Sequence, residues 1–226
     1  MKLGVLFSGG KDSCLALHKA MQEHQIVCLI SLISENKESY MLHVPNIEFT
    51  KVQAEAIGIP LIQISTKGEK EKELEDLKKA LIQAKKKFGI EGVITGAIRS
   101  EYQASRIQKL CDKLNLKCIN PLWHKDEEQH WREILNSKFK VIISSIAADG
   151  LEEEWLGRII DNDNFEKLKF LSKKFHFNLA FEGGEGETTV IDAPFFKKRI
   201  KILDSKTEYD NYSGRFIIIK WEFEEK

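Results

Sequence analysis

No charge of one sign predominates in this sequence. Lysine plus arginine number 35, and aspartate plus glutamate number 35. That balance excludes a broad electrostatic affinity for nucleic acid or anionic membrane. A local basic strip, such as Lys197, Lys198, Arg199 and Lys201, could still meet RNA. Long apolar runs are missing too. The longest, around Ile26 to Ile33, is too short to cross a bilayer. The opening MKLGVLF leads into a loop without a cleavage site, unlike a signal peptide. The four cysteines, Cys14, Cys28, Cys111 and Cys118, form no CxxC pair, which sets aside zinc sites and dithiol redox motifs. They are expected to be buried thiols in a reducing compartment, and the protein is expected to be cytoplasmic. No internal repeat and no low-complexity linker divides the chain. What is present is 42% apolar and 31% charged residues over 226 positions, which suits a globular protein of one large domain or two small ones.

Apolar spacing orders the chain. Short apolar runs at Lys2–Phe7, Ile26–Ile33, Leu61–Ile64, Gly92–Thr95 and Leu116–Ile119 read as strands. Between them lie helical patterns: Lys11–Glu23 with Cys14, Leu15, Leu17 and Met21; Asn46–Ile57 with Phe49, Val52 and Ala56; Glu69–Phe88 with Leu74, Leu77 and Leu81; and Ser100–Leu114. The charge run of Glu69–Phe88 is the solvated face of a long helix. Five alternations with short links predict an α/β fold, a parallel sheet with helices on both faces. In such sheets ligands bind at the carboxyl ends of the strands, where Ser8–Ser13 and Gly96–Arg106 fall. After Pro121 the rhythm changes. Helices are expected over Lys125–Ser137, Leu151–Ile160 and Asp163–Phe175, and strands over Val141–Ile146, Thr188–Ile191, Arg199–Leu203 and Arg215–Phe223. The spacing predicts two domains, 1–120 and a smaller α+β domain over 121–226 with some antiparallel pairing.

The stretch SGGKDS, Ser8 to Ser13, almost spells a Walker phosphate loop. Val5 stands where its first glycine belongs, and Asp12 where a hydroxyl should follow Lys11. A strand, two glycines and a helix start still place backbone N–H groups and the helix dipole toward an anion. Gly9 and Gly10 permit a sharp turn and close approach. Ser8 and Ser13 add hydroxyls, and Lys11 adds a cation. Asp12 repels bare phosphate, but it fits if Mg²⁺ lies between them. The plain alternative is a tight turn with Asp12 or Ser13 capping the helix.

Three further stretches stand out. In Glu91–Asp126, Ser100 and Gln103 have capping-box spacing. Gly96 stands at a strand end where a nucleotide must approach closely, and Arg106 stands one turn into the helix. In Ser31–Asn46, Tyr40, His43 and Asn46 are candidates to contact base, ribose or substrate. FEGGEGETTVID, Phe181 to Asp192, sets Glu182, Glu185 and Glu187 among Gly183, Gly184 and Gly186, beside Thr188 and Thr189. That much negative charge suits a cation, ammonia or Mg²⁺ rather than phosphate. A solvated acidic turn is the plainer alternative.

SGGKDS at the first strand–helix junction resembles the PP-loop of the ATP pyrophosphatases, a superfamily that cleaves ATP to AMP and pyrophosphate. GAIRSEYQASR, the NPLW at Asn120–Trp123, GLEEEWLGR at Gly150–Arg158 and EGGEGET together resemble one branch, the diphthine–ammonia ligases. The likeness runs from Met1 to about Pro194, and the chain looks like a minimal archaeal form without the C-terminal extension of eukaryotic members. Two positions depart from the pattern. Family members carry Gly where Phe181 stands and an aromatic where Gly186 stands.

The resemblance implies a HUP-like ATP-binding domain followed by a substrate-binding domain. It implies ATP and Mg²⁺ as cofactors, with Ser8, Gly9, Gly10, Lys11, Asp12, Ser13, Gly96 and Arg106 on the nucleotide and Asp12 on the metal. The implied reaction amidates diphthine on elongation factor 2 with ammonium through an acyl-adenylate, with Lys11, Asp12, Glu185 and Glu187 catalytic. Tyr40, His43, Asn46, Ser100, Tyr102, Gln103, Glu182, Gly183, Gly184, Glu185, Glu187 and Thr188 would meet the substrate. The glutamates would attract the trimethylammonium group, with Phe181 or Trp155 as an aromatic face, or hold ammonium and take its proton. Residue 2 is Lys and no Cys/His spacing suggests a glutaminase, which fits free ammonium as donor. A PP-loop ligase acting on a small metabolite or a tRNA base, and a non-catalytic nucleotide sensor, are the alternatives. A homodimer is compatible with the sequence but not specified by it.

Overall fold

The computed structural model describes residues 1–34, 46–67 and 72–226. They form two compact units. Met1–Ser8 and Asp12–Trp123 make the first, and Gly9–Lys11 with His124–Lys226 make the second.

In the first unit, strands β1 (Lys2–Leu6), β2 (Gln25–Ser34), β3 (Leu61–Thr66), β4 (Gly92–Ile94) and β5 (Lys117–Ile119) form a parallel sheet in the order β3-β2-β1-β4-β5. The crossovers carry helices α1 (Lys11–Glu23), α2 (Thr50–Ile57), α3 (Lys72–Phe88) and α4 (Glu101–Lys113). The strand order reverses direction at β1. Right-handed crossovers on its two sides therefore place α1 and α2 on one face, and α3 and α4 on the other. The core shows the second layer directly. Leu77, Ala80, Leu81 and Ala84 of α3 and Ile107, Leu110 and Cys111 of α4 pack on Cys28, Ile30, Ile62 and Val93. Along α1 the expected apolar stripe shifts by one residue. Cys14, Leu15, Leu17 and Ala20 are buried, whereas Met21 is 40% exposed.

Cys14, Cys28 and Cys111 are buried as expected, but Cys118 is only half-buried. Burial pushes the Cys28 thiol up to about 12. Hydrogen bonding between the Cys111 and Cys118 thiols, together with burial, raises Cys111. Among the described residues no helix is long and apolar enough to cross a membrane.

The second unit holds α5 (Glu127–Asn136), β6 (Lys140–Ile146), α6 (Asn162–Phe175), β7 (Gly186–Asp192), β8 (Lys198–Tyr209) and β9 (Gly214–Glu225). The strands form an antiparallel sheet, β7-β6-β9-β8. Trp131, Ile134, Val141, Ile143, Phe165, Leu168 and Val190 are at most 1% exposed and make its core.

The helix expected over Leu151–Ile160 is absent. Only one 3₁₀ turn, Glu153–Trp155, forms there. Gly157 takes φ +74°, which ends the turn. The following backbone joins β6, with Gly157 N–H on the Ile143 carbonyl (2.8 Å) and Ile160 N–H on the Val141 carbonyl (2.9 Å). Three of the four basic-strip residues pair with acids of the same sheet. Arg199 meets Asp192 at 3.2 Å, Lys201 meets Glu222 at 2.9 Å and Lys198 meets Glu225 at 3.6 Å.

Candidate active site

The turn from β1 into α1 is shaped by its small residues. Gly9 lies at φ +76°, a conformation that costs a side-chain-bearing residue about 1 kcal/mol or more. Ser8 donates to Ser13 Oγ from its N–H (3.3 Å) and from its hydroxyl (3.2 Å), so the loop closes on the first turn of α1. Lys11 and Ser13 are buried and Asp12 is half-buried. A Cβ on Gly96 would lie 2.9 Å from Ser13 N and 3.0 Å from the Asp12 carbonyl carbon. The expected close approach at Gly96 is therefore made by the loop's own backbone. The missing side chain lets the end of β4 brace residues 12–13. Thr95, which carries no sequence signal of its own, and Asn120, the first residue of the NPLW stretch, complete this edge. The Thr95 hydroxyl donates to Asn120 Oδ1 at 2.5 Å, joining the ends of β4 and β5, and accepts the Ala97 N–H at 3.2 Å.

On α4, Ser100 is the N-cap, its hydroxyl accepting the Gln103 N–H at 3.4 Å. Tyr102 and Arg106, one turn apart, are stacked, with the guanidinium carbon 3.6 Å from the ring centroid. Stacking fixes the plane of the guanidinium. Asn46 precedes the 3₁₀ turn Ile47–Phe49 in a left-handed conformation, φ 62°. Tyr40 and His43 lie outside the described residues.

In the second unit the middle of the loop meets β7 and the segment before it. Lys11 N–H donates to the Thr188 hydroxyl at 3.1 Å, and the Gly9 carbonyl accepts the Val190 N–H at 3.0 Å. The Lys11 ammonium donates to the Ala180 carbonyl at 2.6 Å. It also lies 5.6 Å from the Trp131 ring centroid and 5.7 Å from that of Phe181, within cation–π range. Thr188 was expected at the site. Trp131 and Ala180 were not, because an indole at helical spacing reads as core.

The three glutamates are not equivalent. Glu185 straps its own loop, its carboxylate accepting the N–H of Asn178 (3.0 Å) and of Gly183 (2.8 Å). Glu182 is exposed, and its N–H donates to Asn178 Oδ1 at 3.3 Å. Glu187 is half-buried on β7 opposite Ser145. Gly184, exposed, turns the loop at φ +88°.

Phe181 and Gly186 lie against each other. Phe181 adopts φ +63°, and its ring lies where a Cβ on Gly186 would come within 3.2 Å of it. The ring at 181 fills the space beside the bare backbone at 186. Phe181 or Trp155 was expected to offer an aromatic face to a quaternary ammonium, but both rings are buried. Phe181 is 7% exposed beside Lys11, and Trp155 is 2% exposed with the Arg158 guanidinium 5.0 Å from its ring centroid.

Asp12 on the first turn of α1 suits a Mg²⁺ ion shared with phosphate oxygens, since that ion needs only one or two protein carboxylates. No cluster of three or more potential ligands exists among the described residues, so an all-protein metal cage is not what they build.

A parallel sheet whose first strand passes through a serine–glycine loop into a helix N-terminus defines a nucleotide-binding α/β protein of the PP-loop type. The diphthamide synthase N-terminal domain family matches residues 1–118, and the diphthamide synthase C-terminal domain family matches residues 126–223. Proteins named diphthine–ammonia ligase from Mus musculus and Homo sapiens are each 36% identical, over 91% of this chain and 84% of theirs. One from Schizosaccharomyces pombe is 34% identical over 97% of this chain and 39% of its own. A long extension is thus a mark of the yeast relative and not of the mammalian ones. A crystal structure from Methanocaldococcus jannaschii, described as a predicted subunit of tRNA methyltransferase, is 20% identical over 86% of this chain, with a TM-score of 0.44, too loose to bear on function. The chain belongs to the diphthine–ammonia ligase family.

Proposed function

We propose that this chain amidates the diphthine side chain of elongation factor 2, using ATP and ammonium and releasing AMP and pyrophosphate. The observation that carries this reading is the loop Ser8–Ser13, with Gly9 at positive φ and Gly96 pressed to the backbone of Asp12 and Ser13. That bracing holds amides at a helix N-terminus, where phosphate oxygens are best received. A carboxylate is a poor electrophile, because its delocalised negative charge deactivates the carbon and its oxygen cannot leave unaided. Attack of a carboxylate oxygen on the α-phosphorus forms a C–O–P bond and breaks the bond to pyrophosphate. Ammonia then adds at the activated carbon, loses a proton to a base, and expels AMP.

The loop amides and Lys11 would stabilise charge gathering on the departing pyrophosphate. Mg²⁺ held by Asp12 would neutralise charge on the same phosphates. Arg106, its plane fixed by Tyr102, is suited to a second phosphate contact. Glu185 is poorly suited as the base, because both its oxygens hold backbone amides that a proton would disturb. Glu187 and Glu182 are the remaining candidates of this loop for ammonium and its proton. The test offers ATP, Mg²⁺, ammonium and diphthine-bearing elongation factor 2, and follows nucleotide products and protein mass together. AMP, pyrophosphate and an acid-to-amide mass change are expected. AMP without the mass change would discard the protein substrate, and ADP would discard the reaction.

A further inference from the structure

We infer that Glu127 is a positioning residue for Lys11; the inference rests on reading Lys11 as a phosphate-binding group. The Lys11 ammonium is held by the Ala180 carbonyl, and that carbonyl owes its place to a chain of bonds leading back to α5. Asn178 Oδ1 accepts the N–H of Ala180 at 2.9 Å and of Glu182 at 3.3 Å, and the Asn178 carbonyl accepts the Phe181 N–H at 3.0 Å. Asn178 is in turn fixed by Glu127, which accepts from its Nδ2 at 3.0 Å. The other Glu127 oxygen accepts the Leu179 N–H, also at 3.0 Å. The Leu179 carbonyl is taken by the indole N–H of Trp131 at 2.8 Å.

Glu127 and Trp131 stand four residues apart, so they share one face of α5. Together they clamp the N–H and the C=O of the residue just before Ala180. Trp131 then serves a second time, its ring lying under the same ammonium. Such a clamp matters because a lysine is a point charge on a flexible four-carbon stem. It favours a transition state only where its positions are restricted beforehand. The two Glu127 bonds are charge-assisted and so are the strongest neutral-donor contacts in the chain of bonds. Removing them should let the 178–181 segment, and the ammonium with it, drift. Trp131 is wholly buried, so its substitution would test folding as much as position. Glu127, at the start of α5, is the better probe.

The test is a double-mutant cycle read as the Kd for ATP with Mg²⁺ by calorimetry, with Tm recorded for each protein. Glu127→Ala should weaken ATP binding about tenfold when Lys11 is present. Glu127→Gln, which keeps one acceptor oxygen, should recover part of that loss, and it serves if the alanine variant does not fold. On a Lys11→Met background either substitution should change Kd by less than about twofold, because the group being positioned is gone. Equal losses on both backgrounds, or unchanged ATP binding in folded Glu127→Ala, would overturn the inference while leaving the loop assignment standing. Unchanged binding in Lys11→Met would instead strike the loop assignment itself.

Discussion

Gly96 carries more weight than its position at a strand end suggests. A methyl group there would meet backbone atoms of Asp12 and Ser13, not the yielding end of a side chain. Gly96→Ala should therefore displace the loop, raising the KM for ATP at least about tenfold with a smaller loss of stability. Steady-state kinetics beside a melting curve checks the split. The glutamates make a second contrast. Glu185→Gln removes an acceptor from the strap on Asn178 and Gly183, and should cost about 1–2 kcal/mol of stability in denaturant titrations. Glu187→Gln should slow amide formation by more than it weakens ATP binding. If Glu185→Gln were fully stable yet inactive, the base would be Glu185. From the sequence alone these carboxylates were indistinguishable, because burial and backbone partners separate them and neither is written in a GGEGE string. The exchange of Phe181 and Gly186 was visible as two departures. That the Phe181 ring lies beside the bare backbone of Gly186 at the start of β7 was not, since residues five apart carry no periodicity that would place them in contact.

Among the elements, the strand–helix alternation of the first unit was legible because its apolar spacing is strong and each glycine turn is flanked by it. The segment Leu151–Ile160 was not. Its apolar residues at Leu151, Trp155 and Leu156 mimic helical spacing, but Gly157 breaks the turn and β6 takes its backbone groups. The Glu127–Asn178 bond was beyond sequence reasoning for a related reason, as it joins residues 51 apart. Helices α5 and α6 are linked by a four-charge network. Arg132 meets Glu128 at 2.5 Å and Glu166 at 3.2 Å, and Lys169 meets Glu166 at 2.7 Å and Glu128 at 3.2 Å. The Arg132 hydrogen bond, then that of Lys169, holds the Glu128 carboxyl below its ordinary value, and Lys169 does the same for Glu166. Depressed carboxylates stabilise the fold above their unfolded pKa, and that contribution is lost as pH falls through the folded value. The Tm deficit of Arg132→Gln relative to wild type should thus be present at pH 7 and shrink in acid below the ordinary glutamate range. A deficit that does not change with pH would mean the network acts through packing alone.

At the scale of the whole molecule, the proposed reaction joins the loop Ser8–Ser13 to one chemical step, the attack of a carboxylate oxygen on the inner phosphorus of ATP. The family match over both parts of the chain sets the reaction class, and the braced loop is the proposed phosphate cradle. The most direct measurement starts from diphthine-bearing elongation factor 2 with ¹⁸O in the diphthine carboxylate. After turnover with ATP, Mg²⁺ and ammonium, mass spectrometry should find the label in the phosphoryl group of AMP. Label in inorganic phosphate, released beside ADP, would contradict the account.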